Sequence, residues 1–184
     1  MAGILIRNET MSDRPHGPSY NSSTSGGEGV IRMAEPTTLD ELDVKILRLL
    51  NADARKSYRD IAKATDASIS TVSNRVRKLE DLGVITGYVP VLNEARLGYD
   101  VLAVVGVKIH KGKLLEVQRR IARDDRVTHV YDVTGEWDSI VVVRLKNTRE
   151  LDAFIKRLGS MEYVENTYTQ VVLNVVKEER RVLL

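Results

Sequence analysis

Ser68-Ile69-Ser70-Thr71-Val72-Ser73-Asn74-Arg75-Val76-Arg77-Lys78-Leu79-Glu80-Asp81-Leu82-Gly83 is the segment from which the fold can be read outward. Ile69, Val72, Val76, Leu79 and Leu82 recur at helical spacing, and Gly83 supplies a C-terminal stop. Ser70, Thr71, Asn74, Arg75 and Lys78 fall opposite that apolar stripe, with Ser73 and Arg77 flanking. Just upstream, Asp66-Ala67-Ser68 interrupts a shorter helix that holds Ile61, Ala62 and Thr65 and opens at Ser57 with Asp60. Further upstream, Thr38 with Glu41 fits a capping box, followed by Leu42, Ile46, Leu49 and Leu50 on one face as far as residues 51–53. Three short helices with a tight turn between the last two predict a helix-turn-helix over residues 38–87.

Downstream the composition turns to strand. Val84-Ile85 and Tyr88-Val89-Pro90-Val91-Leu92 read as extended, giving a possible β-wing and a linker strand over residues 88–99, with Pro90 confined to an edge or a strand start. Residues 100–178 then predict strand Val101–Ile109, helix Lys113–Arg123, strand Val127–Val133, turn Thr134–Asp138, strand Ile140–Leu145, helix Thr148–Leu158 and strand Val164–Val176. Thr148 is the expected N-cap of the second helix and Gly159 its stop. The order is βαββαβ, whose right-handed crossovers put both helices on one face of a four-stranded, ferredoxin-like sheet. The fold class is therefore α+β, a winged helix-turn-helix followed by a ferredoxin-like domain. Val101–Val105 and Ile140–Val143 are apolar without alternation, although a sheet covered on one side alternates. A second subunit on the bare face is the simplest cover, and a homo-oligomer is expected.

The remaining segments are a tail over residues 1–37 and a short C-terminal tail over 179–184. Pro15, Gly17, Pro18 and the run Asn21–Gly27 carry too little apolar surface to offset the entropy of ordering, so the first reads as disordered. It is equally read as an over-long start, because Met11 and Met33 are alternative initiators. The 184 residues contain no Cys, which excludes disulfide scaffolds, thiolate metal sites and cysteine nucleophiles. No apolar run approaches the roughly 20 residues needed to span a bilayer. Gly3-Ile4-Leu5-Ile6 is too short for a signal-peptide core, and a cytoplasmic location is expected. The net charge of +2 is spread along the chain with no polybasic arm, so nucleic-acid binding would need a local basic face and an oligomer.

Two constellations carry chemistry. Short hydroxyls and an amide at Ser70, Thr71, Ser73 and Asn74, followed by Arg75, Arg77 and Lys78, suit a helix entering a major groove of double-stranded DNA. Arg55, Lys56, Arg59 and Lys63 fit phosphate contacts. A solvated helix face explains the same residues taken alone, but the tri-helical setting favours recognition. The second constellation is Thr134-Gly135-Glu136-Trp137-Asp138, which holds the only Trp. Its carboxylates suit an ammonium group and its glycine backbone a carboxylate, together an amino-acid zwitterion. A plain hairpin turn is the alternative. His16, His110 and His129 lack metal-ligand spacing, and no P-loop, dinucleotide fingerprint or nucleophile elbow is present. Neither a metal nor a cofactor is expected, and no enzyme.

Taken in order, Leu39-Asp40-Glu41-Leu42-Asp43, Ala54-Arg55, Ser73–Glu80, Gly83–Tyr88, Leu97-Gly98-Tyr99 and Thr134–Asp138 resemble the leucine-responsive regulator/AsnC (Lrp/AsnC) family of transcription factors over residues 38–178. The resemblance implies dimers joined through the effector domain, often assembled into tetramers or octamers. It also implies an amino acid held between subunits at Gly135, Glu136, Trp137 and Asp138, with Thr169, Gln170 and Val171 of the last strand completing the pocket. The tail departs from the family pattern, as do Ile69 and Val72, where some members carry proline. An effector-independent architectural DNA-binding protein, and a small-molecule enzyme built on the βαββαβ domain, are the rival readings.

Overall fold

The computed structural model describes residues 37–179, 181, 182 and 184; most of the expected N-terminal tail lies outside them. The chain forms two units, one running through Pro90 and including the last residues of the chain, the other Val91–Glu179.

The first unit holds helices α1 (Glu41–Ala52), α2 (Tyr58–Thr65) and α3 (Ile69–Asp81). Ile46, Leu47 and Leu50 of α1 pack with Ile61 and Ala62 of α2 and Val72, Val76 and Leu79 of α3. Ile69 and Leu82, expected in the stripe, are 49% exposed because each lies at an end of α3, beyond the reach of the other two helices. The cap of α1 is also shifted. Asp40, not Thr38, is the N-cap; it accepts from the Asp43 amide at 2.9 Å, and Asp43 rather than Glu41 returns the bond at 3.3 Å. A carboxylate fills both places of the capping box.

Asp66 ends α2 in the left-handed region at φ 54°, a conformation short polar residues tolerate, and Ser68 then caps α3 through the Thr71 amide. At the far end Gly83 adopts φ +68°, with Gly83 N–H bonded to Glu80 O and Val84 N–H to Leu79 O. That is a Schellman closure, and it requires the glycine. The segment after it forms no strand: residues 84–92 join no ladder among the described residues, in contrast to the expected wing and linker strand. Pro90 lacks a donor and no neighbouring strand offers a partner. Tyr88 holds this segment near α3 by donating to Glu80 Oε1 at 3.0 Å, and burial beside that carboxylate pushes its hydroxyl up to about 12. The chain end belongs to the same unit: α1 donates from Asn51 to Val182 O and from Arg48 to Leu184 O.

The second unit is β1 (Val101–Ile109), α4 (Leu114–Ile121), β2 (Val127–Asp132), β3 (Ser139–Leu145), α5 (Thr148–Gly159) and β4 (Val164–Val171), preceded by a 3-10 turn at Ala95–Leu97. The strands run β2-β3-β1-β4, all neighbours antiparallel, as the ferredoxin-like reading requires. Asn147, one residue before Thr148, caps α5 through the Glu150 amide, and Gly159 is its last helical residue rather than its stop. β4 ends at Val171, paired with Ala103 and five residues short of the expected end, with one further bond from the Val172 amide to Leu102 O.

Burial separates the two faces of the sheet, as the βαββαβ order requires. β3 alternates buried and half-buried along its length. Ala103, Val105, Val107, Ile109, Val141, Val143 and Leu145 pack under Val117, Ile121, Leu151, Phe154 and Leu158 of the helices. The other face carries Leu102, Val104, Ile140 and Val142, none fully covered. The sequence is apolar on both faces, and only one face has helices on it.

Candidate functional site

The outer face of α3 is set by its angle on α1 and α2. With Val72, Val76 and Leu79 buried, Ser70, Asn74, Arg77 and Lys78 are exposed, while Thr71, Ser73 and Arg75 are half-buried. Ser68 Oγ lies 2.8 Å from both Ser70 Oγ and Thr71 Oγ1, a hydroxyl cluster at the helix start.

Arg75 is turned inward. Its guanidinium donates to Asp40 and, at 3.1 Å, to Asp43, whose side chain is 1% exposed. It thus bridges the middle of α3 to the capping box of α1. The Asp43 amide, followed by Arg75, holds the Asp40 carboxyl below its usual range, and the two carboxylates raise Arg75. The expectation that Arg75 stands on the outer face with Arg77 only flanking is therefore reversed. Arg77 and Lys78 are the exposed cations. A sequence signal was available, because Asp40 and Asp43 are the two acids spaced to cap α1 and need a cation above them.

The second basic group is split. Arg59 and Lys63 of α2 are exposed and make no ion pair among the described residues, Lys56 is half-buried, and Arg55 lies 3.8 Å from Asp53. Tyr58, not singled out by the sequence reading, is 40% exposed at the first position of α2.

In the second unit the 134–138 turn is clasped onto β1. Asp138 Oδ2 accepts from the Ile109 amide at 2.8 Å, Oδ1 meets Lys108 Nζ at 3.2 Å, and Lys108 also donates to Glu136 O at 3.0 Å. The Ile109 amide, then Lys108, keeps the Asp138 carboxyl below the ordinary range. Both its oxygens are engaged within the chain, so Asp138 fixes the shape of the turn, and each oxygen keeps a further lone pair. Glu136 is exposed, and Gly135 supplies φ +119°.

Trp137 lies over Gly106 of β1 and stacks on Tyr168 of β4, ring centroids 5.9 Å apart at 14°. A Cβ at residue 106 would stand 2.7 Å from the indole, so the glycine is what admits the ring. The register divides the expected β4 trio. Gln170 pairs with Val104 on the bare face, whereas Thr169 and Val171 pair with Val105 and Ala103, both buried under the helices. Gly135, Glu136, Trp137 and Gln170 therefore share a region with Tyr168 and Lys108, which the sequence reading missed. Thr169 and Val171 belong to the opposite face, as the period of two demands.

Among the described residues no group of acids and histidines is spaced to hold a metal ion, and no helix is long and apolar enough to cross a membrane.

Comparison with known proteins follows the same division. Residues 39–86 match the winged helix-turn-helix DNA-binding family, and residues 102–182 match the Lrp/AsnC ligand binding domain. An uncharacterized HTH-type transcriptional regulator of Pyrococcus furiosus is 47% identical over 143 residues, 78% of this chain and 97% of its own length. The HTH-type transcriptional regulator FL11 of the same organism is 39% identical over 140 residues, 76% of this chain and 93% of its own. Among solved structures, AsnC of E. coli superposes with a TM-score of 0.74 at 27% identity, covering 78% of this chain and 97% of that one. The leucine response regulatory protein of Mycobacterium tuberculosis gives 0.70 at 28%, covering 78% and 99%. A helix-turn-helix with an exposed polar and basic third helix, joined to this βαββαβ sheet, is the architecture of these regulators, and the chain belongs to the Lrp/AsnC family of DNA-binding transcriptional regulators.

Proposed function

We propose that the protein is a sequence-specific regulator that reads the major groove with Ser70, Asn74, Arg77 and Lys78 of α3. Arg59 and Lys63, with Arg55 and Lys56 beside them, contact phosphates. The observation that carries this reading is that Arg77 and Lys78 are exposed on the face opposite the three-helix core and make no ion pair among the described residues, while Arg75 is used for packing. Side chains reaching base edges contribute about 1–3 kcal/mol each. Asn74→Ala and Arg77→Ala should weaken binding to an operator selected from a random pool far more than binding to random duplex. Equal losses on both would reduce these residues to backbone contacts. Lys63→Ala should weaken both and flatten the salt dependence.

In this reading the protein is a homo-oligomer, with the bare sheet face of one protomer against another. Leu102, Val104, Ile140 and Val142, rimmed by exposed Tyr131 and Tyr168, supply the apolar surface. An amino acid or related small molecule bound near Trp137, Tyr168 and Gln170, with the turn amides and exposed Glu136 at hand, would set DNA affinity by favouring one assembly over another. Support comes from the aromatic stack seated on Gly106 and from the ligand-binding family matched by residues 102–182. Trp137 is the only tryptophan and reports directly. Thermal unfolding against the twenty amino acids, followed by its fluorescence, should show one ligand adding about 2.7 kcal/mol at 100 times its dissociation constant. No shift at millimolar concentrations would leave a regulator with another trigger. Binding without turnover separates this reading from an enzyme.

A further inference from the structure

On the helical side of the second unit four cations are held by a carboxylate. Lys113 meets Glu116 at 3.0 Å, Arg126 meets Asp124 at 2.7 Å, Arg157 also pairs with Asp124, and Lys156 meets Asp152 at 2.8 Å. Three arginines stand apart. Arg119 and Arg120 in the last turn of α4, and Arg123 just beyond it, are exposed and make no ion pair among the described residues.

Their isolation is built into α4. Glu116 lies three and four residues before Arg119 and Arg120, the spacing at which a helix neutralises its own charges. Lys113 already holds that carboxylate from the other side. Asp124, next to Arg123, is likewise taken by Arg126 and Arg157. Asp125 is the one nearby acid that is exposed and outside these pairs. Elsewhere on this unit Lys111, Lys146 and Arg149 are exposed and make no ion pair among the described residues, and no three of them lie within one helical turn.

Residues 119 and 120 close α4 and residue 123 follows its last residue by two positions, so the three lie within about one helical turn of chain. Guanidinium groups at that density fit successive phosphates of one DNA strand, and they hold phosphate oxygens in a planar, two-pronged geometry. We propose that Arg119, Arg120 and Arg123 form a second DNA-backbone contact, on the ligand-binding domain, for duplex flanking the operator held by α3. The contact is electrostatic and indifferent to sequence. The inference rests on α3 being the operator reader.

The test compares a duplex of about 20 bp that covers two half-sites with one of about 80 bp that carries natural flanks. Replacing all three arginines by Gln should leave affinity for the short duplex unchanged. For the long duplex it should weaken binding at low salt by about tenfold or more and reduce the salt slope by about 2–3. Replacement by Lys keeps the charge and should retain most of the slope. Unchanged affinity and slope on the long duplex would overturn the proposal. So would an equal loss on both lengths, or a lower thermal midpoint with the slope intact, which would assign the arginines to the end of α4. Asn74→Ala with Arg77→Ala, measured on the short duplex, reports separately on α3, so a failure there is not mistaken for a failure here.

Discussion

Helix α3 and the 134–138 turn each present charged residues that a sequence reading assigns to a ligand, and each commits one of them to the protein itself. In α3 the committed residue is Arg75, which ties the middle of the helix to the cap of α1 and leaves Arg77 and Lys78 outside. In the turn it is Asp138, held by the Ile109 amide and Lys108, and the outward surface passes to an aromatic pair, Trp137 on Tyr168. The helix divides its cations between packing and recognition because 3.6-residue periodicity separates residues 75 and 77 by more than half a turn. The turn has no such periodicity and uses its charges to fix its own shape.

The largest expected effect lies at the anchor of α3. Asp43→Ala removes a buried carboxylate, a capping-box partner and a ligand of Arg75 together. It should lower the unfolding free energy by about 2 kcal/mol, less than a fully buried pair because Arg75 remains in touch with solvent. Urea unfolding followed by far-UV dichroism checks this, and an unchanged midpoint would mean that α1 holds without its cap.

Gly106→Ala probes the other region. The added methyl group meets the indole, so Trp137 must leave its seat or β1 must bend, at a cost of about 1–3 kcal/mol. The fluorescence of Trp137 should shift to the red while the short-operator affinity stays as it was. An unshifted spectrum would show that the stack tolerates the methyl group.

Within α3 itself, Arg75→Gln and Arg77→Gln should part company. The first lowers the thermal midpoint, and the second lowers operator affinity with the midpoint unchanged. If both change only affinity, Arg75 swings outward on DNA and the contrast between the two arginines disappears.

The smallest effect is in acid. Asp40 and Asp138 both have carboxyls below the ordinary range in the folded protein. Their stabilisation is therefore fully present above the unfolded value of about 3.9 and is lost only as pH falls through the lower folded values. Carboxyl 13C titrations should show both midpoints below that value. Arg75→Gln should raise the Asp40 midpoint and Lys108→Gln that of Asp138. Neither should reach the ordinary range, because the amides of Asp43 and Ile109, the larger cause in each, remain.

Much of this protein was legible because its elements are short and strongly patterned. The three helices, the βαββαβ order and the cap at Ser57 follow from spacing and side-chain chemistry within a few residues. The errors share one origin. Caps at Asp40 and Asn147 competed with Thr38 and Thr148 one or two residues away, and local sequence does not say which backbone turns first. Ile69 and Leu82 fit the stripe of α3 but overhang the helices it packs on.

What the sequence determined alone is therefore the order of the five helices and four sheet strands and the buried middle of the α3 stripe, since these depend on neighbours three to eight residues apart. The tertiary structure decided which charges are available. Arg75 is consumed by acids 32 and 35 positions away, and Asp138 by a lysine and an amide some 30 positions away. Among the described residues Arg119, Arg120 and Arg123 make no ion pair, because Lys113 holds Glu116 and Arg126 and Arg157 hold Asp124. Charge pairing depends on distance in space, and only the folded backbone sets it.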